Sequence, residues 1–109
     1  MTPVDFLGSI RLGRDCDRDA ILAVFDSNVP AFFSAIERPR LETFLDNAPD
    51  QAWVAQADDG TIAGFGAVTW SDPDTAWLRW GMVAQGQHRR GIGKALLQIR
   101  MDWIRHETQ

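Results

Sequence analysis

A chain of 109 residues with 45% apolar and 24% charged side chains, and no low-complexity run, has room for one modest core and excludes a two-domain, fibrous or disordered protein. Its apolar stretches are short and interrupted, far from the roughly 20 residues of a membrane span, and the start MTPVDFLGSI lacks a basic leader segment and cleavage site, so cytoplasm is the expected compartment. A net charge of −4 argues against charge-driven nucleic-acid binding, and a single cysteine, Cys16, excludes an internal disulfide.

In chain order, residues 9–14 alternate Ile10 and Leu12 with polar side chains and predict a first strand. Cys16 lies between Asp15 and Asp17, which disfavour a further negative charge, and reads as a structural thiol. Asp15 or Asp17 can cap a helix in which Ala20, Ile21, Val24 and Phe25 recur at helical spacing until Asn28, Val29 and Pro30 end it. A second helix is expected from Pro39, with Leu41, Phe44 and Leu45 on its apolar face and Asn47, Ala48 and Pro49 as its stop. Between the two lies a loop or short helix carrying Phe32 and Phe33.

Residues 51–57 and 61–70 read as strands joined by Asp58, Asp59 and Gly60, an Asp-Gly hairpin turn. Ser71, Asp72, Pro73 and Asp74 signal a second turn into an alternating strand over residues 75–84. Gly81 inside that strand marks a bulge or a close approach of another backbone or a ligand. Residues 91–106 then predict a helix with a broad apolar face formed by Leu96, Leu97, Ile99, Met101, Trp103 and Ile104. The order β-α-α-β-β-β-loop-α makes the class α+β, a largely antiparallel sheet covered by helices, with one domain over residues 1–109.

Five of the thirteen residues from 88 to 100 are His, Arg or Lys, namely His88, Arg89, Arg90, Lys94 and Arg100, a local basic patch in an acidic chain. It can hold a small anion. There a strand runs into a glycine-rich loop that opens a helix, so free backbone N–H groups at the helix start and the dipole both favour an anionic ligand. A phosphate loop of the form G-x-x-x-x-G-K-[ST] fails here, because His88 and Ala95 stand where glycine and Ser or Thr are required. A dinucleotide loop G-x-G-x-x-G starting at Gly91 fails at Leu96.

The run His88-Arg89-Arg90-Gly91-Ile92-Gly93, after a bulged strand and before a long helix, resembles the pyrophosphate loop [QR]-x-x-G-x-[GA] of the GNAT superfamily of acyl-CoA-dependent N-acetyltransferases. The resemblance extends to the preceding element order and covers essentially the whole chain. It implies a GNAT-like fold with acetyl-CoA as co-substrate and no metal. The backbone at Gly81, Met82 and Val83 would pair with the pantetheine arm, and His88, Arg89, Arg90, Gly91, Ile92, Gly93 and Lys94 would wrap the pyrophosphate. Departures are also visible. His88 stands where the family has Gln or Arg, and family members continue past the loop helix with a fifth strand, a helix and two further strands, so the chain is expected to correspond to the N-terminal, C-terminally shortened part of such a domain. That continuation normally supplies a tyrosine acid, and this chain has no tyrosine.

The implied activity is transfer of an acetyl group to a primary amine of a small molecule or peptide, with the Val83 backbone N–H as oxyanion donor. No side chain stands out as the general base: Glu37, Glu42, Asp72 and Asp74 read as solvated charges, and Trp77 occupies the position where some relatives place a glutamate. The alternative is an inactive CoA-binding half-domain that associates with a second copy through its exposed fourth-strand edge. Neither reading involves nucleic acid or a membrane. Of the five tryptophans, Trp53 and Trp103 read as core; one of Trp70, Trp77 and Trp80, with Phe32 and Phe33, is expected to wall an acceptor pocket.

Overall fold

The computed structural model describes residues 8–88 and 90–108. Strand β1 (Gly8–Leu12) is followed by a 3-10 turn at Asp15–Asp17 and helix α1 (Arg18–Ser27); a second 3-10 turn at Ala35–Glu37 leads into α2 (Arg38–Asp46). Strands β2 (Gln51–Ala57), β3 (Ile62–Asp72) and β4 (Thr75–Val83) come next, then a short 3-10 turn at Gln85–Gln87 and helix α3 (Ile92–Glu107). All neighbouring strands are antiparallel in the order β1-β2-β3-β4, so β1 and β4 are the edges. The expected α+β class is what the structure has.

Local chemistry explains the element boundaries. Helix α1 buries Ile21, Leu22, Val24 and Phe25, residues spaced to share one helical face. Pro39 sits in the first turn of α2, where its missing N–H costs nothing. At the preceding turn, Ser34 Oγ accepts from Ile36 N at 3.4 Å and Glu37 Oε2 accepts from Ser34 N at 3.0 Å. Between β2 and β3, Gly60 has φ +91 and Asp59 Oδ1 accepts from Thr61 N at 2.9 Å, a turn geometry suited to the Asp-Gly pair.

The sheet is covered on both faces. Val54, Phe65, Ala67 and Met82 pack with Phe25 and Leu41 on the α1 and α2 side. On the other side Trp53, Ala55 and Val68 meet Ile92 and Leu96 of α3. Phe25 and Leu41 are fully buried, and each such side chain removed from water contributes roughly 1.5 to 3 kcal/mol. Trp53 is buried and meets the partly buried Trp103 edge to face at 5.9 Å, while Trp70 lies 6.3 Å from Trp103, which places all three rings on the α3 side.

One irregularity shapes the far edge. In the β3–β4 pairing Phe65 faces Met82 but Ala67 faces Arg79, so Trp80 and Gly81 together oppose Gly66. This is a bulge at the position that Gly81 marks in the sequence. Trp80 itself takes the left-handed φ of +52, and its ring packs against Phe25 at 6.1 Å and Phe33 at 6.3 Å on the α1 side. Cys16 is exposed, which corrects the expectation of a structural thiol: the turn at Asp15–Asp17 points it to solvent and buries Asp17 instead.

Candidate active site

A cleft of about 600 Å³ opens beside β4, of a size suited to a small-molecule ligand. Gly81, Met82 and Val83 form one wall, His88 and the start of α3 at Gly91, Ile92, Gly93 and Lys94 another, and Asn28, Phe32 and Phe33 the third. The loop geometry follows from glycine. Gly91 caps α3 with φ +82, which turns the chain sharply into the helix; no side chain caps the first turn, and the first helical bond runs from Ala95 N to Gly91 O at 3.0 Å. An added Cβ on Gly93 would lie 3.6 Å from Val83 Cγ2, an ordinary contact, so the fold leaves this position open.

Eight of the ten residues expected in the site line the cleft. Arg90 is exposed and does not line it, and Arg89 lies outside the described residues. Met82 and Ile92 are buried with their side chains in the two cores, so only their backbones can serve a ligand. His88 is an anchor. Its Nε2 lies 2.8 Å from Val83 O, which requires the proton on Nε2, and its ring meets Phe32 edge to face at 5.0 Å.

Asn28 is the residue that the sequence pattern did not single out. Its Nδ2 donates to Val24 O and, across 55 positions of sequence, to Val83 O, both at 2.9 Å, while its buried Oδ1 has no partner among the described residues. The Val83 carbonyl thus accepts from Asn28 and His88 instead of from a strand, whereas the next residue, Ala84, donates its N–H to Ala63 O at 2.8 Å. By the alternation of a strand, the N–H of Val83 points the same way as its carbonyl, out from the sheet edge. Ser27 Oγ accepts from Gln85 N at 3.1 Å and ties the end of α1 to the same loop.

Residues 21–109 match the model of the Acetyltransferase (GNAT) family. The chain belongs to that family. No curated protein matches it. Among solved structures it is similar to a GNAT family acetyltransferase from Brucella melitensis in complex with acetyl-CoA, at 21% identity and TM-score 0.77, over 90% of this chain and 68% of that one. It is also similar to a GNAT family N-acetyltransferase from Escherichia coli in complex with CoA, at 18% identity and TM-score 0.75, over 94% of this chain and 58% of that one. A Mycobacterium tuberculosis protein in complex with CoA gives 23% identity and TM-score 0.73, over 92% of this chain and 59% of that one. This GNAT chain therefore spans only part of the length of these structures, and at such identities the likeness speaks for the fold.

Three of the four acids that could serve as bases have partners elsewhere. Glu42 pairs with Arg18 and Arg38, Glu37 holds the Ser34 turn, and Asp72 accepts from Asp74 N in the β3–β4 turn. None of them lines the cleft. The aromatic expectation divides: Phe32, 62% exposed, and the half-buried Phe33 do wall the cleft, but Trp77 is exposed, Trp70 lies on the α3 side, and Trp80 packs behind Phe33 without reaching it. Among the described residues no cluster of three His, Cys, Asp or Glu side chains could hold a metal, and no helix is long and apolar enough to cross a membrane.

Proposed function

We propose that the chain binds acetyl-CoA in the cleft beside β4 and transfers the acetyl group to a primary amine of a small molecule or peptide. The observation that carries this reading is that the uncapped start of α3 at Gly91 and the outer edge of β4 at Val83 face one cleft. The pyrophosphate would sit on the first-turn N–H groups of α3, where the helix dipole and Lys94 favour an anion, and the pantetheine arm would run along Gly81, Met82 and Val83. In the reaction the amine nitrogen attacks the thioester carbonyl carbon, the C–N bond forms and the C–S bond breaks. The proton shed by nitrogen ends, through water, on the departing sulfur. The Val83 N–H, held in place by the bonds of Asn28 and His88 to its carbonyl, would donate to the carbonyl oxygen as charge develops there.

Calorimetric titration with acetyl-CoA tests this, beside the Gly93→Asp variant. Since the fold leaves Gly93 open, the variant should fold and lose binding at least about tenfold through charge repulsion at the pyrophosphate. No binding by the folded wild type would overturn the proposal. A second reading is favoured by the sheet order: β4 is an edge strand, and pairing of this edge with a second copy would make the chain a CoA-binding half-domain. Light scattering on the same samples separates the two.

A further inference from the structure

Deep in the same cleft lies a cation that the acetyl-CoA reading does not use. Arg100, in the third turn of α3, is only 6% exposed, and its Nε donates to Leu96 O at 3.0 Å, a bond within its own helix. Among the described residues no carboxylate lies within ion-pair distance of it, and its terminal nitrogens have no hydrogen-bond partner although Arg100 lines the cleft. Burial pushes its pKa below the usual arginine value, but a guanidinium keeps its proton in a protein, so the charge stays.

The sheet makes room for this group. A Cβ on Gly66 would lie 2.8 Å from Arg100 Nε and 2.9 Å from Cζ, and a Cβ on Gly81 would lie 2.9 Å from one terminal nitrogen. The β3–β4 bulge brings these two glycines opposite each other, and the guanidinium lies over the bare backbone between them. A buried charge with no counter-charge opposes folding, and an apolar side chain would fill the same gap between α3 and the sheet at lower cost. A cation kept there, with its donors open to a ligand cleft, suits an anion brought by the ligand.

We infer that Arg100 is the receptor for a carboxylate carried by the occupant of this cleft, at the end away from the α3 N-terminus. The inference rests on the acetyl-CoA reading for the identity of that occupant. From Gly91 to Arg100 the helix rises about 13 Å; the side chain turns back to Leu96 O, and the guanidinium still lies past the pyrophosphate cradle and beside Gly81, where the acyl chain beyond a carbonyl held at Val83 would reach. The carboxylate then belongs to one of two groups meeting there: the acyl chain of a dicarboxylic acyl-CoA, or an amine acceptor of amino-acid type. Two planar N–H donors of a guanidinium fit a carboxylate in bidentate fashion, which a monocarboxylic acyl group or a simple amine does not offer.

Matched ligand pairs test it by calorimetry on the wild-type chain and on the charge-free Arg100→Met and Arg100→Gln variants. Succinyl-CoA against butyryl-CoA probes the acyl source; phenylalanine against phenethylamine, each added to CoA-loaded protein, probes the acceptor source. The expected result is a preference of about tenfold or more for the carboxylate member of one pair, lost in both variants, and the pair that shows it identifies the source. Equal binding within both pairs by the wild type overturns the inference while leaving the CoA reading intact. So does a preference that survives in either variant. If CoA itself does not bind, the acetyl-CoA reading fails and Arg100 is still tested by melting temperature: free succinate should raise that of the wild type more than succinamide does, and equal shifts would overturn the inference.

Discussion

Two arginines at opposite ends of the sheet meet burial in opposite ways. Arg11 on β1 places both terminal nitrogens on Asp17, at 2.9 Å to each carboxylate oxygen, and gives its Nε to Gln56 Oε1 at 2.9 Å. Asp17, 5% exposed, also accepts from Arg14 N at 2.8 Å, so the charge is enclosed and its hydrogen bonds are made. Arg100 on α3, 6% exposed, is more deeply buried than Arg11 and has one bond, to its own helix. The first arginine is satisfied by the fold and holds β1 to the start of α1. The second is accommodated by two glycines but not answered by any carboxylate of the described chain, and the difference separates a structural cation from one that suits a ligand.

The comparison breaks first at Asp17. Asp17→Ala should destabilise the chain by about 2 to 3 kcal/mol in urea unfolding, at or below the low end for a broken buried pair because Arg11 keeps some access to water. The hydrogen bond from Arg11 holds the Asp17 carboxyl below the usual carboxylate range, with the Arg14 N–H adding to it. A carboxyl depressed in the folded state stabilises fully above its unfolded value of about 3.9, and that contribution is lost as pH falls toward the lower folded value. Melting temperatures from pH 6 down to pH 2 should therefore fall more steeply below about pH 4 for the wild type than for Asp17→Ala. Parallel curves would mean that the pair adds no stability.

At the other end the same question is put through the glycine floor. Gly66→Ala should cost about 1 kcal/mol in urea unfolding, because the new methyl displaces the guanidinium at the end of a flexible side chain. In an Arg100→Ala background the same change should be neutral or slightly stabilising, since alanine restricts the unfolded chain more than glycine does. A double-mutant cycle reads the coupling directly. Additive effects would show that Gly66 is small for some reason other than Arg100.

Much of the fold was legible because its signals are local. The Asp58-Asp59-Gly60 turn, Pro39 in the first turn of α2, and Gly81 at the bulge each state a backbone requirement in residue types, and the element ends fall close to their expected positions. The cleft was legible for the same reason, through Gly91 and Gly93 between a strand and a helix. What was not legible depends on register. Gly66 matters only because the bulge sets it opposite Gly81, and Asn28 reads as a helix stop until the fold brings Val83 to it. Arg100 belongs by position to a basic patch along the chain, yet its spacing of four from Leu96 and three from Trp103 sets it on the sheet-facing side of α3. Cys16 is exposed because the Asp17 carboxylate, with both oxygens bonded by Arg11, takes the buried place in that turn.

A small effect is the most diagnostic. Without ligand, Arg100→Met should gain about 1 kcal/mol, seen as a raised melting temperature, because it replaces an unpaired buried charge with an apolar chain of similar length over the same glycines. Arg11→Met should move the other way, since it strands the Asp17 carboxylate. Opposite signs for the same substitution at these two arginines would express the contrast between a cation the fold uses and one it tolerates. A loss of stability in both would mean that Arg100 packs as a long apolar stem and holds α3 to the sheet, and its place in the cleft would then be incidental to its role.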